Sequence, residues 1–349
     1  MLLFHSFTLH REIWGDFYQN EWFQSFYQVF EKGHLGINLF FVLSGFLITY
    51  LLLWEQKQSG KINLVNYLIR RTLRVWPLYF LIILFGFFVF PHLPYGIETI
   101  HELWRYSLFL ANFDELLVGL NDSINFLTAI WTVAVEEQFY IVWGLLIGLF
   151  TFKKKSMYMI FFTLIILGSI GFRLSNYDAP RVLYFHTFSV MSDLGIGGLI
   201  GLLAFQNRLQ GFFQSLSRPV IIAVYIIGLA LILFEHSIFR GPFISVARIV
   251  PGLFFAFVIL EQVYSNRSFF KVDRIPFMKY SGEISYGFYM FHCIAIYYWA
   301  MFFRDHQLTA HLYQFLIYLI VVFASTYIAA MVSYKYFEQP FLRLKKKFK

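Results

Sequence analysis

The segment WTVAVEEQFY, at residues 131–140, places two carboxylates side by side, Glu136 and Glu137. They are the only charged residues between Ala129 and Phe150, a run long enough to cross a bilayer. A charge in mid-membrane is costly, so an ionisable residue there indicates a functional site. Because neighbours on a helix point about 100° apart, we expect one glutamate to face a polar cavity and the other a neighbouring helix. The alternative is a structural pair, bonded to arginine or histidine inside the bundle.

A second chemical group is His5, in the short apolar segment LLFHSF. Imidazole titrates near neutral pH and accepts a proton from a hydroxyl group, so a histidine beside a carboxylate is suited to general base catalysis. A merely hydrogen-bonded histidine at a helix end is the alternative. The histidines lack the paired spacing of a zinc site, and the single cysteine excludes an internal disulfide and a cysteine cluster, so no metal is predicted. Asp193, a further acid in an apolar run, precedes several glycines, which favours a structural role in close helix packing.

The segment YLIRRTLRVWPLY, residues 67–79, contains three closely spaced arginines. Arg71 and Arg74 are three residues apart and lie on one helical face, with Arg70 near its edge. Guanidinium groups bind phosphate bidentately, so this cluster is suited to a diphosphate at the inner surface of a membrane. The alternative is ordinary anchoring of a cytoplasmic loop or contact with lipid headgroups. Pro77 is expected in the first turn of the next span, where proline is tolerated.

The elements that must position these residues are membrane helices. Of the 349 residues, 59% are hydrophobic and only 14% are charged, and the apolar runs have the length that crosses a bilayer, which excludes a soluble domain. We predict an all-α polytopic transmembrane bundle of about ten spans, forming one domain over residues 1–349, with the first span cut short at its amino end within residues 1–9. The other predicted spans cover 34–54, 73–91, 128–150, 156–173, 184–204, 219–234, 244–263, 281–303 and 312–337.

The charged loops indicate the orientation. Lysine and arginine concentrate in segments 55–74, 151–156 and 264–280 and in the tail after residue 342. By the positive-inside rule these segments are cytoplasmic, so both termini of the full-length form lie inside and residues are expected upstream of Met1. The net charge of +8 is therefore mainly a topology signal, and no nucleic-acid partner is predicted. The long outer loop 92–127 is expected to dip back or lie at the interface.

Four segments together resemble the membrane acyltransferase-3 family, multi-span bacterial enzymes that O-acylate sugars. LGINLFFVLSGFLIT (35–49) is similar to its second-helix signature, and RRTLRVWPLY (70–79) to its Arg-x-x-Arg motif. WTVAVEEQFY (131–140) is similar to its paired-glutamate block, and ISYGFYMFH (284–292) to a segment of its ninth span. The order and spacing of the four cover nearly the whole chain.

The resemblance implies roles for individual residues. His5 matches the family's proposed catalytic base, and the glutamate pair matches Glu136 and Glu137. Arg71 and Arg74 match the pair thought to engage the diphosphate of coenzyme A, with Arg70 beside them. Two departures stand out: the arginine that the family carries before the histidine, with ten residues between them, would fall before Met1, and Asn38 occupies a position that is often aspartate.

These parts predict a membrane O-acyltransferase of the bacterial inner membrane. Acyl-CoA, with acetyl-CoA as the expected donor, docks on the arginines from the cytoplasm. His5, polarised by a carboxylate such as Glu136, deprotonates a hydroxyl of a cell-surface or exported glycan. The alternative is a proton-coupled exporter, because intramembrane acids with glycine-rich helices also suit transport. Outer-loop aromatic residues such as Trp14, Trp104 and Tyr106 are either sugar-stacking groups or an interfacial belt, and the belt is favoured.

Overall fold

The computed structural model describes residues 1–9, 13–15, 21–118, 126–149 and 155–348. This part of the chain is 84% helical and contains no strand, which confirms the all-α prediction. The first α-helices in chain order are α1 (Leu2–Thr8), α2 (Glu21–Glu31), α3 (Gly36–Ser59), α4 (Leu64–Leu84), α5 (Leu103–Ser107), α6 (Ala111–Val118), α7 (Trp131–Leu149), α8 (Lys155–Ser175) and α9 (Pro180–Phe185). The remaining α-helices are α10 (Thr187–Phe205), α11 (Gln210–Ser215), α12 (Arg218–Leu233), α13 (Glu235–Ile238), α14 (Ile244–Ala247), α15 (Ile249–Tyr264), α16 (Pro276–Glu283), α17 (Ser285–Asp305), α18 (Leu312–Val332) and α19 (Gln339–Lys345).

Two π-helical segments interrupt the α-helical geometry. Phe85–Val89 continues α4, and Ser333–Glu338 joins α18 to α19. Such wide turns carry an i→i+5 hydrogen-bond pattern and occur frequently at functional sites. The second segment contributes residues to a cavity described below.

Seven helical stretches within the described ranges are long and apolar enough to cross a membrane. They are Tyr27–Ser59, Leu64–His92, Phe126–Ile147, Ser156–Ser175, Pro180–Phe205, Gly241–Tyr264 and Leu312–Lys345. Arg218–Leu233 is apolar but shorter. Helices α1 and α17 coincide with two further predicted spans, but the total of about ten spans is not confirmed.

Apolar outer faces identify the chain as a membrane protein. On α8, Ile160, Leu164 and Leu167 are each more than half exposed, and they recur at helical spacing along one face. Contiguous apolar surface of this kind is rare on soluble monomers and suits contact with lipid chains. The orientation of the termini stays a prediction, and of the predicted cytoplasmic loops, residues 151–154 lie outside the described part of the chain.

The position of Pro77 differs from the prediction. Helix α4 begins at Leu64, so Pro77 lies in the interior of the helix rather than in its first turn. The arginine motif therefore lies within the helix, between the mostly apolar residues 64–69 and the apolar run that follows Arg74. Proline lacks the N–H that would bond to the carbonyl of Leu73, one turn earlier.

The described residues cluster into two compact units. The first comprises 1–34, 65–134 and 277–349, and the second comprises 35–64 and 135–276. In the first unit the core includes residues of α1, α4 and α17, and α17 packs on α18. The prediction of a single domain over 1–349 stays a prediction.

In the second unit, glycines bring α10 against α3. A Cβ added at Gly197 would lie 2.1 Å from the carbonyl oxygen of Val42, and one at Gly45 would lie 2.2 Å from that of Leu194. No side chain fits at such distances, so both positions require glycine for close backbone approach. The glycines after Asp193 therefore pack helices together, as the sequence indicates.

The loop 92–118, which the sequence analysis predicts to lie outside, contains a buried polar network within the first unit. The Asp114 carboxylate accepts hydrogen bonds of 2.6 Å from the His101 ring and 2.6 Å from Arg105. Its neighbour Glu115 accepts a 3.2 Å bond from the Tyr106 hydroxyl. Helices α5 and α6 thus bury polar side chains inside the protein. Whether the loop dips back into the membrane or lies at its interface stays a prediction, and residues 119–125 lie outside the described ranges.

Opposite pKa shifts in this network predict its pH dependence. Burial, the largest influence on Asp114, raises its pKa, but hydrogen bonds and charges from His101 and Arg105 together lower it below the ordinary value. Burial raises the pKa of Glu115. A carboxylate whose folded-state pKa is lowered stabilises the fold above its unfolded pKa of about 3.9, and loses that contribution as the pH falls through the folded pKa.

We therefore expect Asp114→Asn to lower stability at pH 7 by about 2 kcal/mol, with the difference from the parent protein shrinking below about pH 4. The matched variant Glu115→Gln removes a carboxylate that burial penalises, so it should be neutral or stabilising at pH 7. Thermal unfolding of the detergent-solubilised protein across pH 3–7 measures both. Equal destabilisation by the two variants at pH 7 would contradict the assignment.

Candidate functional site

His5 lies on the short helix α1 and is half-buried. Its Nδ1 atom lies 2.7 Å from Nε2 of His292 on α17, a hydrogen-bonding distance. The two rings are nearly parallel, with an interplanar angle of 11° and centroids 4.9 Å apart. The predicted base therefore has a specific partner, a second histidine that is almost completely buried.

The sulfur of Cys293 completes this cluster, at 3.3 Å from both Nδ1 of His5 and Nε2 of His292. All three residues are of types that bind zinc, and their ligand atoms lie within 4.8 Å of one another. Two nitrogens bound to one tetrahedral zinc at about 2.0–2.1 Å would be roughly 3.3 Å apart. The 2.7 Å separation instead fits a direct hydrogen bond, and the absence of a metal stays a prediction.

Aromatic packing and one glycine hold α1 in place. Phe7 stacks on Phe23 and Phe30, with ring centroids 5.5 Å and 4.8 Å apart. A Cβ added at Gly33 would lie 2.7 Å from Cβ of Phe4, the residue next to the candidate base. Because that space is already filled, a larger residue at position 33 would displace α1 and the imidazole that it carries.

Glu136 belongs to the second unit, where it accepts a hydrogen bond from the hydroxyl of Ser44 on α3. The Tyr140 hydroxyl in turn donates to the Ser44 oxygen over 3.1 Å. Tyr140 lies one helical turn after Glu136, so both face the same side of α7. Glu137 is also buried, at 2% exposure. The catalytic role assigned to the two glutamates stays a prediction.

Asp193 is the centre of a polar group in the second unit, at 0% exposure. The guanidinium of Arg248 donates to its Oδ2 over 2.7 Å, and the side-chain amide of Asn38 donates to the same oxygen over 3.1 Å. This explains Asn38: an amide supplies a donor, whereas an aspartate would bring a second carboxylate against the first. These contacts agree with a structural role for Asp193, which stays a prediction.

The three arginines project from α4 in the first unit. The guanidinium of Arg70 donates to the carbonyl of Phe348 over 2.7 Å, and that of Arg71 lies 6.0 Å from the ring centre of Tyr67. Lys345, at the end of α19, lies within electrostatic range of all three. Four cations therefore gather where the sequence predicts a phosphate site.

A cavity of about 440 Å³ opens beside Arg74. Its lining includes Lys279 of α16, Tyr286 of α17, and Tyr334 and Glu338 of the second π-helical segment. The Glu338 carboxylate accepts a 2.9 Å bond from Ser333. With Glu283, the lining carries two cations, two carboxylates and two tyrosine rings, so its charges balance and its rings can contact a ring moiety of a ligand.

Sequence reasoning missed the partners His292, Ser44 and Lys345. Two of these residues lie in segments that the sequence analysis singled out: His292 ends ISYGFYMFH, and Ser44 lies inside LGINLFFVLSGFLIT. The sequence could not show which residues they contact, because those contacts depend on how the helices pack. Two proposed sugar-stacking aromatics are unavailable, because Trp14 is 1% exposed and Tyr106 is 0% exposed. Trp104, at 53%, is accessible.

Comparison with known proteins gives a family match over residues 1–335, to a model described as an acyltransferase domain. A Staphylococcus aureus (strain COL) protein with a provisional O-acetyltransferase name is 27% identical over 329 residues. The O-acetyltransferase OatA of Staphylococcus aureus strain NCTC 8325 is 27% identical over 335 residues. Each alignment covers 88% of this chain and 52% of the relative, so the chain spans about half the length of these relatives. No solved structure matches the chain significantly.

Proposed function

Because the chain belongs to this family of acyltransferases, we propose that it moves an acyl group from cytoplasmic acyl-CoA to a hydroxyl of a cell-surface or exported glycan. The names of its relatives favour acetyl as the acyl group. The membrane in this proposal is the bacterial inner membrane, with both termini of the protein in the cytoplasm. The observation that carries the proposal is a half-buried imidazole, His5, held by a second imidazole in a chain of acyltransferase type.

The donor site uses the cation cluster of α4. Arg71 and Arg74 hold the diphosphate of coenzyme A, with Arg70 and Lys345 adding positive charge, and the cavity beside Arg74 accommodates part of the nucleotide. Four gathered cations favour a multiply charged anion more strongly than a single lipid phosphate. The cofactor is a co-substrate that leaves as free coenzyme A.

The transfer step needs a single base, which first takes a proton and then returns it. The acceptor oxygen attacks the thioester carbonyl, an O–C bond forms, and the C–S bond breaks. The hydroxyl proton passes to His5 and then to the departing sulfur, which leaves as a thiol. Glu136, which accepts a hydrogen bond from Ser44, and Glu137 are proposed as further site residues of the second unit.

One experiment separates transfer from export. Membranes that contain the protein are incubated with acetyl-CoA labelled in the acetyl group, and surface glycan is then isolated and counted. We expect ester-linked label on the glycan, released by mild base. Label that leaves the membranes as a small metabolite, with none on glycan, would favour the exporter.

Replacing both Arg71 and Arg74 by alanine should weaken acyl-CoA binding about 100-fold, because each substitution removes hydrogen bonds to a charged phosphate. Equilibrium binding of acetyl-CoA to the purified protein measures the effect. The matched control is Arg267→Ala with Arg274→Ala, which removes the same charge from exposed arginines of another basic segment. Equal losses in both double variants would show that net charge alone attracts the donor.

A further inference from the structure

A chain of hydrogen bonds runs through the two histidines of the first unit. Nδ1 of His292 contacts the carbonyl oxygen of Tyr289, one turn earlier on α17. Nε2 of His292 contacts Nδ1 of His5 at 2.7 Å. The other ring nitrogen of His5, Nε2, has no hydrogen-bond partner within the described part of the chain.

Proton counting along this chain fixes the tautomers. A carbonyl oxygen only accepts, so Nδ1 of His292 carries the hydrogen. A neutral imidazole has one N–H, which leaves Nε2 of His292 as an acceptor. Nδ1 of His5 must then be the donor, and its Nε2 keeps a lone pair.

We propose that His292 is a positioning residue that holds His5 in the Nδ1–H tautomer, so that Nε2 of His5 takes the proton from the acceptor hydroxyl. The inference rests on the proposed role of His5 as the base. It adds the identity of the reactive nitrogen and of the residue that selects it.

The surroundings make His292 suited to this task. Its ring is 1% exposed, and on the same helix the hydroxyl of Tyr289 donates 2.8 Å to the carbonyl of Ala129 and accepts 2.7 Å from Thr132. The carbonyl that orients the His292 ring belongs to Tyr289, and the side chain of Tyr289 is itself fixed by these two hydrogen bonds.

A neutral partner also fits the location. In serine hydrolase triads a buried carboxylate orients the catalytic histidine through Nδ1. Within an apolar helix bundle a permanent charge is costly, whereas a neutral imidazole provides the same acceptor. When Nε2 of His5 takes the proton, the bond from its Nδ1–H to His292 becomes charge-assisted and stabilises the imidazolium. The proton then leaves with the coenzyme A thiol, which restores the neutral pair.

The test compares two substitutions at one position. Glutamine at position 292 places an amide oxygen close to where the Nε2 acceptor was, whereas leucine provides no acceptor. We expect His292→Leu to lower kcat about 10- to 100-fold, the change expected from losing one hydrogen bond to a charged group, with KM for acetyl-CoA unchanged. His292→Gln should recover most of kcat. The control His306→Ala alters an exposed histidine that bonds to the carbonyl of Phe302, and it should keep the kcat of the parent protein.

Two further readouts exclude a purely structural role. The pH–rate profile of His292→Leu should be displaced along the pH axis, and that of His292→Gln should match the parent profile. In protein labelled with ¹⁵N-histidine, His5, assigned by comparison with His5→Ala, should show a protonated Nδ1 and a bare Nε2.

Distinct outcomes separate the two proposals. Activity in His5→Ala would overturn the proposed base and this inference together. An inactive His5→Ala with an unaltered His292→Leu would overturn only the positioning role. Equal losses in His292→Gln and His292→Leu, with unshifted pH profiles, would indicate a packing role and overturn it as well, as would a protonated Nε2 on His5.

Discussion

His5→Ala is expected to lower the rate of acyl transfer about 10³-fold, because it removes the group that takes the hydroxyl proton. The protein should still insert into membranes and bind acetyl-CoA with parent affinity, since the imidazole lies on α1 and the proposed phosphate site lies on α4. The measurement is ester-linked label transferred to glycan or to a soluble sugar acceptor, normalised to the amount of protein in the membrane.

His306→Ala is the matched control for that experiment. His306 bonds to a carbonyl of its own helix and is exposed, so the same substitution there should leave the rate unchanged. A His5→Ala variant that retains the parent rate at equal expression would refute the assignment. A loss of both rate and protein from the membrane would be traced by comparing the melting temperatures of the two variants.

Arg248→Met should destabilise the protein by about 3–5 kcal/mol, the range measured when one partner of a buried ion pair is removed. The carboxylate of Asp193 is fully buried, and Arg248 is the cation that contacts it. Without the guanidinium, that carboxylate must stay charged in an apolar bundle or take up a proton. Thermal unfolding in detergent should show a markedly lower melting temperature for the variant.

The double variant Asp193→Asn with Arg248→Met tests the cause. It removes both charges and keeps an amide that can bond to Asn38, so it should recover much of the lost stability. If the double variant is as unstable as Arg248→Met alone, the packing of the arginine stem, rather than the charge, accounts for the loss.

The helical architecture was largely predictable because hydropathy reports span length directly. All nine apolar runs predicted after residue 9 coincide with helices, with ends displaced by a few residues. The start of α4 was missed by about nine residues, since Arg70, Arg71 and Arg74 interrupt its apolar residues and the uninterrupted apolar run begins only after them. Pro77 was misplaced for the same reason.

The hydrogen-bond partners of the candidate site residues could not be predicted from the sequence pattern. His5 and His292 are 287 residues apart, and Asn38 and Asp193 are 155 apart, so nothing local indicates that they meet. The sequence identified His5 and Glu136 as chemical groups, but their contacts, a second imidazole and a serine hydroxyl, depend on which helix faces meet. The same applies to Lys345, which reads as an ordinary basic tail residue until α19 is placed.

The π-helical segment Ser333–Glu338 determines how far α19 is rotated about the helix axis relative to α18. Each residue rotates an α-helix by about 100°, so a chain one residue shorter in this segment would turn α19 by more than a quarter revolution relative to α18. Lys345 would swing away from the arginines while every side chain of the motif remained unchanged. Related chains that differ by a single deletion here would therefore keep the motif letters and lose the fourth cation, a difference that no pattern of conserved motifs would reveal.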